Sequence, residues 1–439
     1  MRIMRMLFTT PTHSVRLAAQ MLMSMAWLGA GAAGPARAGD GDWPGWRGPN
    51  GNGSIATGEY PTKWDRTHVA WSVELPGKGS STPVVGRDRI YLTAPMDGQD
   101  AVLAYDLAGK PLWQTRLGTA TPAKHRTLGS SCNSSPVTDG KQVYVYFKSG
   151  TFAALGLDGS VRWQTNLVQQ FGQEKLYWDA GSSPVVTDHH VVLARLNAGD
   201  SWIGGFDKAT GELRWRQPRS FKVPGENDNG YATPVPYQEQ GQKALLIWAA
   251  DHLSAHAAAD GRLLWSCGGF NPDGTGEWPA IASPLVVGDM AIACVGRDDR
   301  HQAHLRAVRL GGTGDVTDQR SAWKRDDVGV FVCSPVAYEG RIYLLRHRGE
   351  VACLNAADGA TLWSEALPKD KSSYFASPVI AHGILYAARE DGVVFAVRVG
   401  EKFELLGENP MGERIVASPV PVAGRLLLRG DQHLFCVQR

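Results

Sequence analysis

What the sequence has little of narrows it first. Lys+Arg 45 stand against Asp+Glu 43 over 439 residues, a net charge of +2, so no excess of one sign is present to attract nucleic acid. The six cysteines (132, 267, 294, 333, 353, 436) include no adjacent pair, no CxxC and no CxxCH, which removes dithiol redox motifs, cysteine zinc knuckles and covalently attached haem. Neither GxSxG nor HExxH occurs, so the two most legible hydrolase signatures are missing. No run of 18 apolar residues follows the first forty, and no segment carries a helical apolar stripe. With 43% apolar and 20% charged residues, a large core is available and global disorder is excluded.

Two residue types are in excess. Glycine (51) is about 12% of the chain against a usual ~7%, and tryptophan reaches 15. Before either is explained, an address must be set aside. Arg2, Arg5 and Arg16 precede an apolar stretch from Leu17 to Ala33, and Ala36-Arg37-Ala38 supplies small residues at a cleavage site. Residues 1–38 therefore read as a signal peptide, and the mature chain as periplasmic or secreted. No cysteine precedes Cys132, so no lipid is expected at the cleavage site. Export permits disulfides, and the spacing leaves free buried thiols and bridges both open.

The rest is a repeat. A small hydroxyl residue, proline and an aliphatic recur eight times, as Thr82-Pro83-Val84, Ser135-Pro136-Val137, Ser183-Pro184-Val185, Thr233-Pro234-Val235, Ser283-Pro284-Leu285, Ser334-Pro335-Val336, Ser377-Pro378-Val379 and Ser418-Pro419-Val420. The prolines lie 53, 48, 50, 50, 51, 43 and 41 residues apart. A second motif follows each proline by about thirty residues, with a glycine four before a tryptophan: Gly109/Trp113, Gly159/Trp163, Gly211/Trp215, Gly261/Trp265 and Gly359/Trp363. Trp323 follows a longer insert, and Leu405-Leu406 replaces the tryptophan in the seventh copy. Short β-branched and aromatic runs bounded by Gly/Asp turns fill the intervals, four per repeat.

Eight such units predict an all-β, eight-bladed β-propeller of four-stranded antiparallel blades over residues 69–439. Proline suits an innermost strand, whose free edge needs no donor, and glycine suits the positive-φ turn between third and fourth strands. Tryptophan on the fourth strand can fill the seam between blades. The last repeat stops after three strands, while residues 69–75 (VAWSVEL) carry a fourth-strand Trp71 with no parent blade. That strand is expected to close the ring on the C-terminal blade and remove an open edge. Residues 39–68 then form an N-terminal extension packing on the propeller.

The copies FDKATGELRW (Phe206–Trp215) and LNAADGATLW (Leu354–Trp363), with the eight Ser/Thr-Pro strands, resemble the pyrroloquinoline-quinone-like propeller repeat. The entry segment DWPGWRGP (Asp42–Pro49) is similar to that of exported members. The resemblance implies one of two functions. One is a non-enzymatic binding scaffold of the cell envelope, of the outer-membrane-protein assembly type. The other is a dehydrogenase of sugars or alcohols holding pyrroloquinoline quinone with calcium at the channel mouth. The second branch often carries adjacent cysteines, which this chain lacks, and no calcium-binding or catalytic carboxylate matches by position. The scaffold reading, without cofactor or bound metal, is the one adopted, with a protein partner or a small carbohydrate or quinone ligand and a monomeric chain.

Loops entering the first strands and joining second to third strands share one face of a propeller. Candidate ligand-binding residues there are Trp178, Asp179, Asn227, Asp228, Glu277, Trp278, Arg297, Asp327, Arg346 and Arg389. The competing reading is a solvated rim of local Arg–Asp pairs. Trp178 and Trp278 stand outside the repeat positions of Trp71, Trp113, Trp163, Trp215, Trp265, Trp323 and Trp363. His252/His256 and His301/His304 lack a third ligand at zinc spacing.

Overall fold

The computed structural model describes residues 41–125 and 129–439, so the leader predicted over 1–38 lies outside the described residues. Eight sheets make up the described molecule, each with a core of four antiparallel strands, in chain order from axis to rim in blades 1 to 7. Blades 1 to 7 occupy residues 84–119, 137–166, 185–218, 235–267, 285–325, 336–366 and 379–410. Blade 8 takes three strands from residues 420–437 and its fourth from Val69–Glu74, which pairs antiparallel with His433–Val437. The ring therefore closes as the sequence predicts. The sole α-helix among the described residues is Leu167–Phe171. All six cysteines are free and buried.

The hydroxyl of the Ser/Thr-Pro motif does more than fit a crowded axis. Its oxygen accepts the backbone N–H of the equivalent residue in the preceding blade. Thr82 donates to Ser135 (2.9 Å), Ser135 to Ser183 (2.9 Å), Ser183 to Thr233 (3.0 Å) and Thr233 to Ser283 (2.9 Å). Ser283 donates to Ser334 (2.8 Å), Ser334 to Ser377 (2.8 Å), and Ser418 back to Thr82 (3.2 Å). An N–H at the inner edge has no fifth strand to pair with, and burying it unpaired would cost about 1–3 kcal/mol. The hydroxyl supplies the acceptor at seven of eight junctions, and so links neighbouring blades.

The Gly/Trp motif is likewise an inter-blade device. Every blade has a β-bulge between its outer two strands on the residue before the tryptophan position, and blade 1 has a second one between Gln99 and Ala101. A bulge re-aims the side chain that follows it, and the tryptophan turns onto the next blade. A Cβ at Gly109, Gly159, Gly211, Gly261 or Gly359 would fall 2.4–2.6 Å from the ring of Trp71, Trp113, Trp163, Trp215 or Trp323 respectively. These glycines also sit at φ +71 to +82. Only glycine meets both demands. The indole N–H then donates to the same turn, as Trp71 to Leu107 O (3.0 Å) and Trp113 to Leu157 O (2.8 Å).

The seventh blade departs from the sequence expectation. Pairing of Ala396 with Gly407 puts Gly407, rather than Leu405-Leu406, at the tryptophan position. The N-terminal segment fills the vacated seam: a Cβ on Gly407 would lie 2.0 Å from Thr62 O, Asn409 Oδ1 accepts the Trp64 N–H at 2.8 Å, and Tyr386 donates to Pro61 O at 2.8 Å.

One buried carboxylate is left poorly compensated. Asp100, at the tip of blade 1, is fully buried and accepts a hydrogen bond from Ser149 of blade 2, while its Oδ1 has no partner. Burial raises its pKa from 3.8 to about 6. The folded state thus holds the proton more tightly than the unfolded one, and stability falls as pH rises from about 4 through 6. Asp100→Asn is expected to leave stability nearly unchanged at pH 4 and raise it at pH 8 by up to about 3 kcal/mol. Denaturation midpoints at the two pH values check this, and an equal effect at both would contradict it.

Candidate functional site at the channel mouth

The axis is stoppered from one side. Trp43 pairs with Val85 of blade 1, its N–H and C=O each bonded at 2.8 Å, and Pro44 O accepts the Thr138 N–H of blade 2. The chain then crosses beneath the ring to blades 6 and 7. There Arg47, buried, donates to Pro378 O (3.0 Å) and Pro335 O (2.9 Å), and Ser54–Ile55 adds a parallel strand to Ile380–Ala381. Burial lowers the Arg47 pKa to about 10. Two glycines of the DWPGWRGPNGNG segment explain its composition. Gly48 (φ 75) lies against the Trp43 ring and Gly53 (φ 77) against the Arg47 guanidinium, each closer than a Cβ allows.

Trp46 is left facing the opposite side as the floor of a cavity of about 190 Å³ on the axis. The hydroxyl ring forms its wall. The residues two before each hydroxyl form its collar: Ser80, Asn133, Gly181, Tyr231, Ile281, Val332, Phe375 and Val416. Strand alternation puts these two sets on the same face, so the repeat dictates both. Four of the eight collar residues are aliphatic or phenyl, and none is a carboxylate.

Beside the collar lies an exposed aromatic pair. Tyr177 is 66% and Trp178 38% exposed, with ring centroids 5.2 Å apart, and His125 lies 5.6 Å from Trp178 on its other flank. Tyr231 ties the pair to the collar, its hydroxyl accepting the Trp178 N–H at 3.0 Å. Glu226 also bonds the Trp178 side chain, and burial raises its carboxyl above the ordinary value. Tyr177 was not singled out by sequence, although a Tyr-Trp pair in a loop outside the repeat positions is a readable signal.

The other predicted residues distribute differently. Asp179 is buried in an ion pair with Lys148 and accepts the Lys124 N–H at 3.1 Å. Asn227 is fully buried, donating to Asp251 (3.0 Å) and accepting the Trp278 N–H (2.9 Å), while Asp228 accepts from Gly199 (2.8 Å). Trp278 is buried edge-on to Phe331, and Glu277 is exposed. The arginines are paired close by: Arg297 with Asp299 (2.6 Å), Arg325 with Asp327 (2.7 Å), Arg346 with Glu350 (3.0 Å) and Arg389 with Asp391 (2.9 Å). The two charges of such a pair largely cancel each other's field. His256 is buried against Gly261 O and Ser254, and His304 bridges Asp326 and Asp273. No group of three His, Cys, Asp or Glu among the described residues is arranged to hold a metal ion.

An eight-bladed ring of four-stranded blades, with a stoppered axis, a half-apolar collar and an aromatic ledge, defines the class as a closed β-propeller. The chain belongs to the family described as outer membrane protein assembly factor BamB, whose profile matches residues 62–200 and 199–439. It is 23% identical over 381 residues to the outer membrane protein assembly factor BamB of Yersinia pestis, covering 84% of this chain and 86% of that one. In solved structures it is similar to BamB from Moraxella catarrhalis, at a TM-score of 0.60 and 15% identity over 84% of this chain and 97% of that one. It is also similar to a europium-containing methanol dehydrogenase, at a TM-score of 0.67 and 11% identity over 89% of each chain. At such identities the structural likeness speaks for the fold.

Proposed function

We propose that this chain is a non-catalytic scaffold of the cell envelope, exported by its leader, which binds a protein partner of outer-membrane-protein assembly at the channel mouth. The observation that carries this reading is the composition of the mouth. Exposed Tyr177 and Trp178 adjoin a collar half of whose residues are aliphatic or phenyl, the pattern of an anchoring patch for a protein surface. Family membership supports the class of partner.

The residues do not fit a calcium-bound quinone. Calcium takes six to eight oxygens, carboxylates prominent among them, and the collar and ring present hydroxyls, one amide and one phenol. Of the nearby carboxylates, Asp179, Asp251, Asp299 and Asp327 are engaged by Lys148, Asn227 and the arginines, and Glu226 and Glu277 do not line the axial cavity. No redox step is therefore derived for this chain.

Affinity capture from detergent-solubilised envelope is expected to recover outer-membrane assembly proteins with the parent chain. Tyr177→Ala/Trp178→Ala should weaken that capture at least ~tenfold, the effect of losing one or two aromatic anchors, with an unchanged melting temperature. Reduction of a dye with any alcohol or sugar in the presence of the quinone and calcium would overturn the reading.

A further inference from the structure

The repeat is broken twice at one place on the rim, and the two breaks face each other. The outer strand of blade 1, Pro111–Thr119, runs nine residues where the equivalents in blades 2 to 8 run five to seven. The outer strand of blade 2 passes directly into the helix Leu167–Phe171. Between them lies a groove of about 790 Å³, within the usual size of ligand sites and far larger than the axial cavity. In a repeat fold, local departures from the repeat are where a function can be added without disturbing the ring.

The chemistry of the lining is selective. It comprises Gln164, Gln169, Gln170 and Asn166, the hydroxyls of Thr119, Thr121, Thr165, Ser149 and Thr151, and backbone of Gly118, Ala120 and Pro122. No ionisable side chain lines the groove. Phosphates, nucleic acids and charged peptides would find no counter-charge there. Lipids and apolar peptide segments would find too little apolar wall. What remains complementary is a neutral ligand dense in hydroxyl and amide groups.

The polar groups are also available and oriented. Asn166 is fixed, donating to Ser149 O (3.1 Å) and accepting the Gln169 N–H (2.9 Å). Gln170 donates to Thr165 (2.7 Å). Ser149 donates its hydroxyl hydrogen to the buried Asp100 and accepts the Thr151 N–H (3.1 Å), which fixes the floor of the groove and leaves recognition to the amides and the Thr119 and Thr121 hydroxyls. Gln164 and Gln169 are exposed, and each side-chain amide offers paired donor and acceptor atoms that match vicinal hydroxyls. At the floor, Gly118 lies so close to Thr151 that a Cβ would come 2.3 Å from its hydroxyl, so glycine keeps the groove at full depth.

We infer that this groove between blades 1 and 2 is a binding site for a neutral glycan chain, separate from the mouth. Titration of the full mature chain with tetra-N-acetylchitotetraose and with maltotetraose, each to ~10 mM, is expected to show one weak site for at least one of them. Which sugar binds distinguishes an N-acetylated strand from a plain glucan. The affinity should be the same at low and high salt, since no charge is involved. Gln164→Ala/Gln169→Ala, and separately Thr119→Ala/Thr121→Ala, should each weaken binding at least ~tenfold through lost ligand hydrogen bonds. Gln114→Ala, on the same outer strand but outside the groove, should bind as the parent, and all variants should melt as the parent does. Failure of both sugars to bind, binding that falls steeply with salt, or binding indifferent to both double variants would overturn the assignment.

Discussion

A chain that begins at residue 80 is expected to aggregate on refolding, with no cooperative melting transition at the parent's temperature. The deletion removes the fourth strand of blade 8, Val69–Glu74, and with it the strand paired to the outer edge of His433–Val437. It also removes Trp71 from the Gly109 turn of blade 1, so the junction between blades 8 and 1 loses the indole that fills its rim. The stopper goes too, taking the Trp43, Pro44 and Arg47 contacts that tie blades 1 and 2 to blades 6 and 7. An open strand edge flanked by apolar residues is a template for association. The links from Ser418 to Thr82, Arg429 to Ser81 and Arg425 to Leu107 would remain, but each such hydrogen bond is worth only about 1 kcal/mol net and none covers the open edge. Size-exclusion chromatography and thermal melting check the outcome, and a monomer with an unchanged melt would remove the closure argument. A milder variant, Trp71→Ala, should stay folded and melt several degrees lower, because it empties one seam and leaves the strand paired.

Much of the architecture was legible because a repeat tests itself. One Gly-x-x-x-Trp is weak, whereas five in step with eight Ser/Thr-Pro units constrain strand number, order and closure together. The roles inside the motifs were less legible. Gly211 and Trp215 are four apart in sequence yet do not serve each other: Gly211 holds Trp163, and Trp215 rests on Gly261. The bulge that causes this has no residue signature of its own. Gly407 was misread because the substitute for the missing tryptophan arrives from Thr62–Trp64, about 345 residues away in the chain, beyond any local pattern.

The site was legible in part for a related reason. Loop charge at a propeller mouth is read correctly as to face, but whether it meets a ligand or its neighbour depends on one or two residues of spacing. Arg297/Asp299, Arg325/Asp327 and Arg389/Asp391 are each two apart and close on themselves as bidentate pairs. Trp178 and Trp278 looked equivalent in sequence. The structure exposes the first and buries the second behind Asn227, a difference set by tertiary contacts.

Arg219→Ala is expected to cost about 3–4 kcal/mol, the scale of breaking a buried hydrogen-bond network. Arg219 follows the outer strand of blade 3 and is buried without any carboxylate. Its guanidinium reaches into blade 4, donating to Ala249 O (3.0 Å), His252 O (2.5 Å) and Ser254 Oγ (3.0 Å). Those acceptors flank the tight turn Ala250-Asp251, where both residues take positive φ (50 and 52). Burial lowers the Arg219 pKa to about 9, a cost offset because the buried guanidinium finds carbonyl and hydroxyl acceptors around the turn. Arg219→Met should restore volume but not the hydrogen bonds that link blades 3 and 4, and Arg219→Lys should recover under half the loss, since a compact ammonium cannot reach three divergent acceptors. Denaturant midpoints at constant slope decide the matter, and a loss below ~1 kcal/mol for Arg219→Ala would sink it. The turn matters to function as well as to stability. Asp251 is gripped by Asn227 and Asn271, and Asn227 in turn holds the Trp278 N–H. Loosening Arg219 should therefore weaken partner capture and stability together, whereas Tyr177→Ala/Trp178→Ala should weaken capture alone. That contrast separates a residue that positions the mouth from residues that touch what binds there.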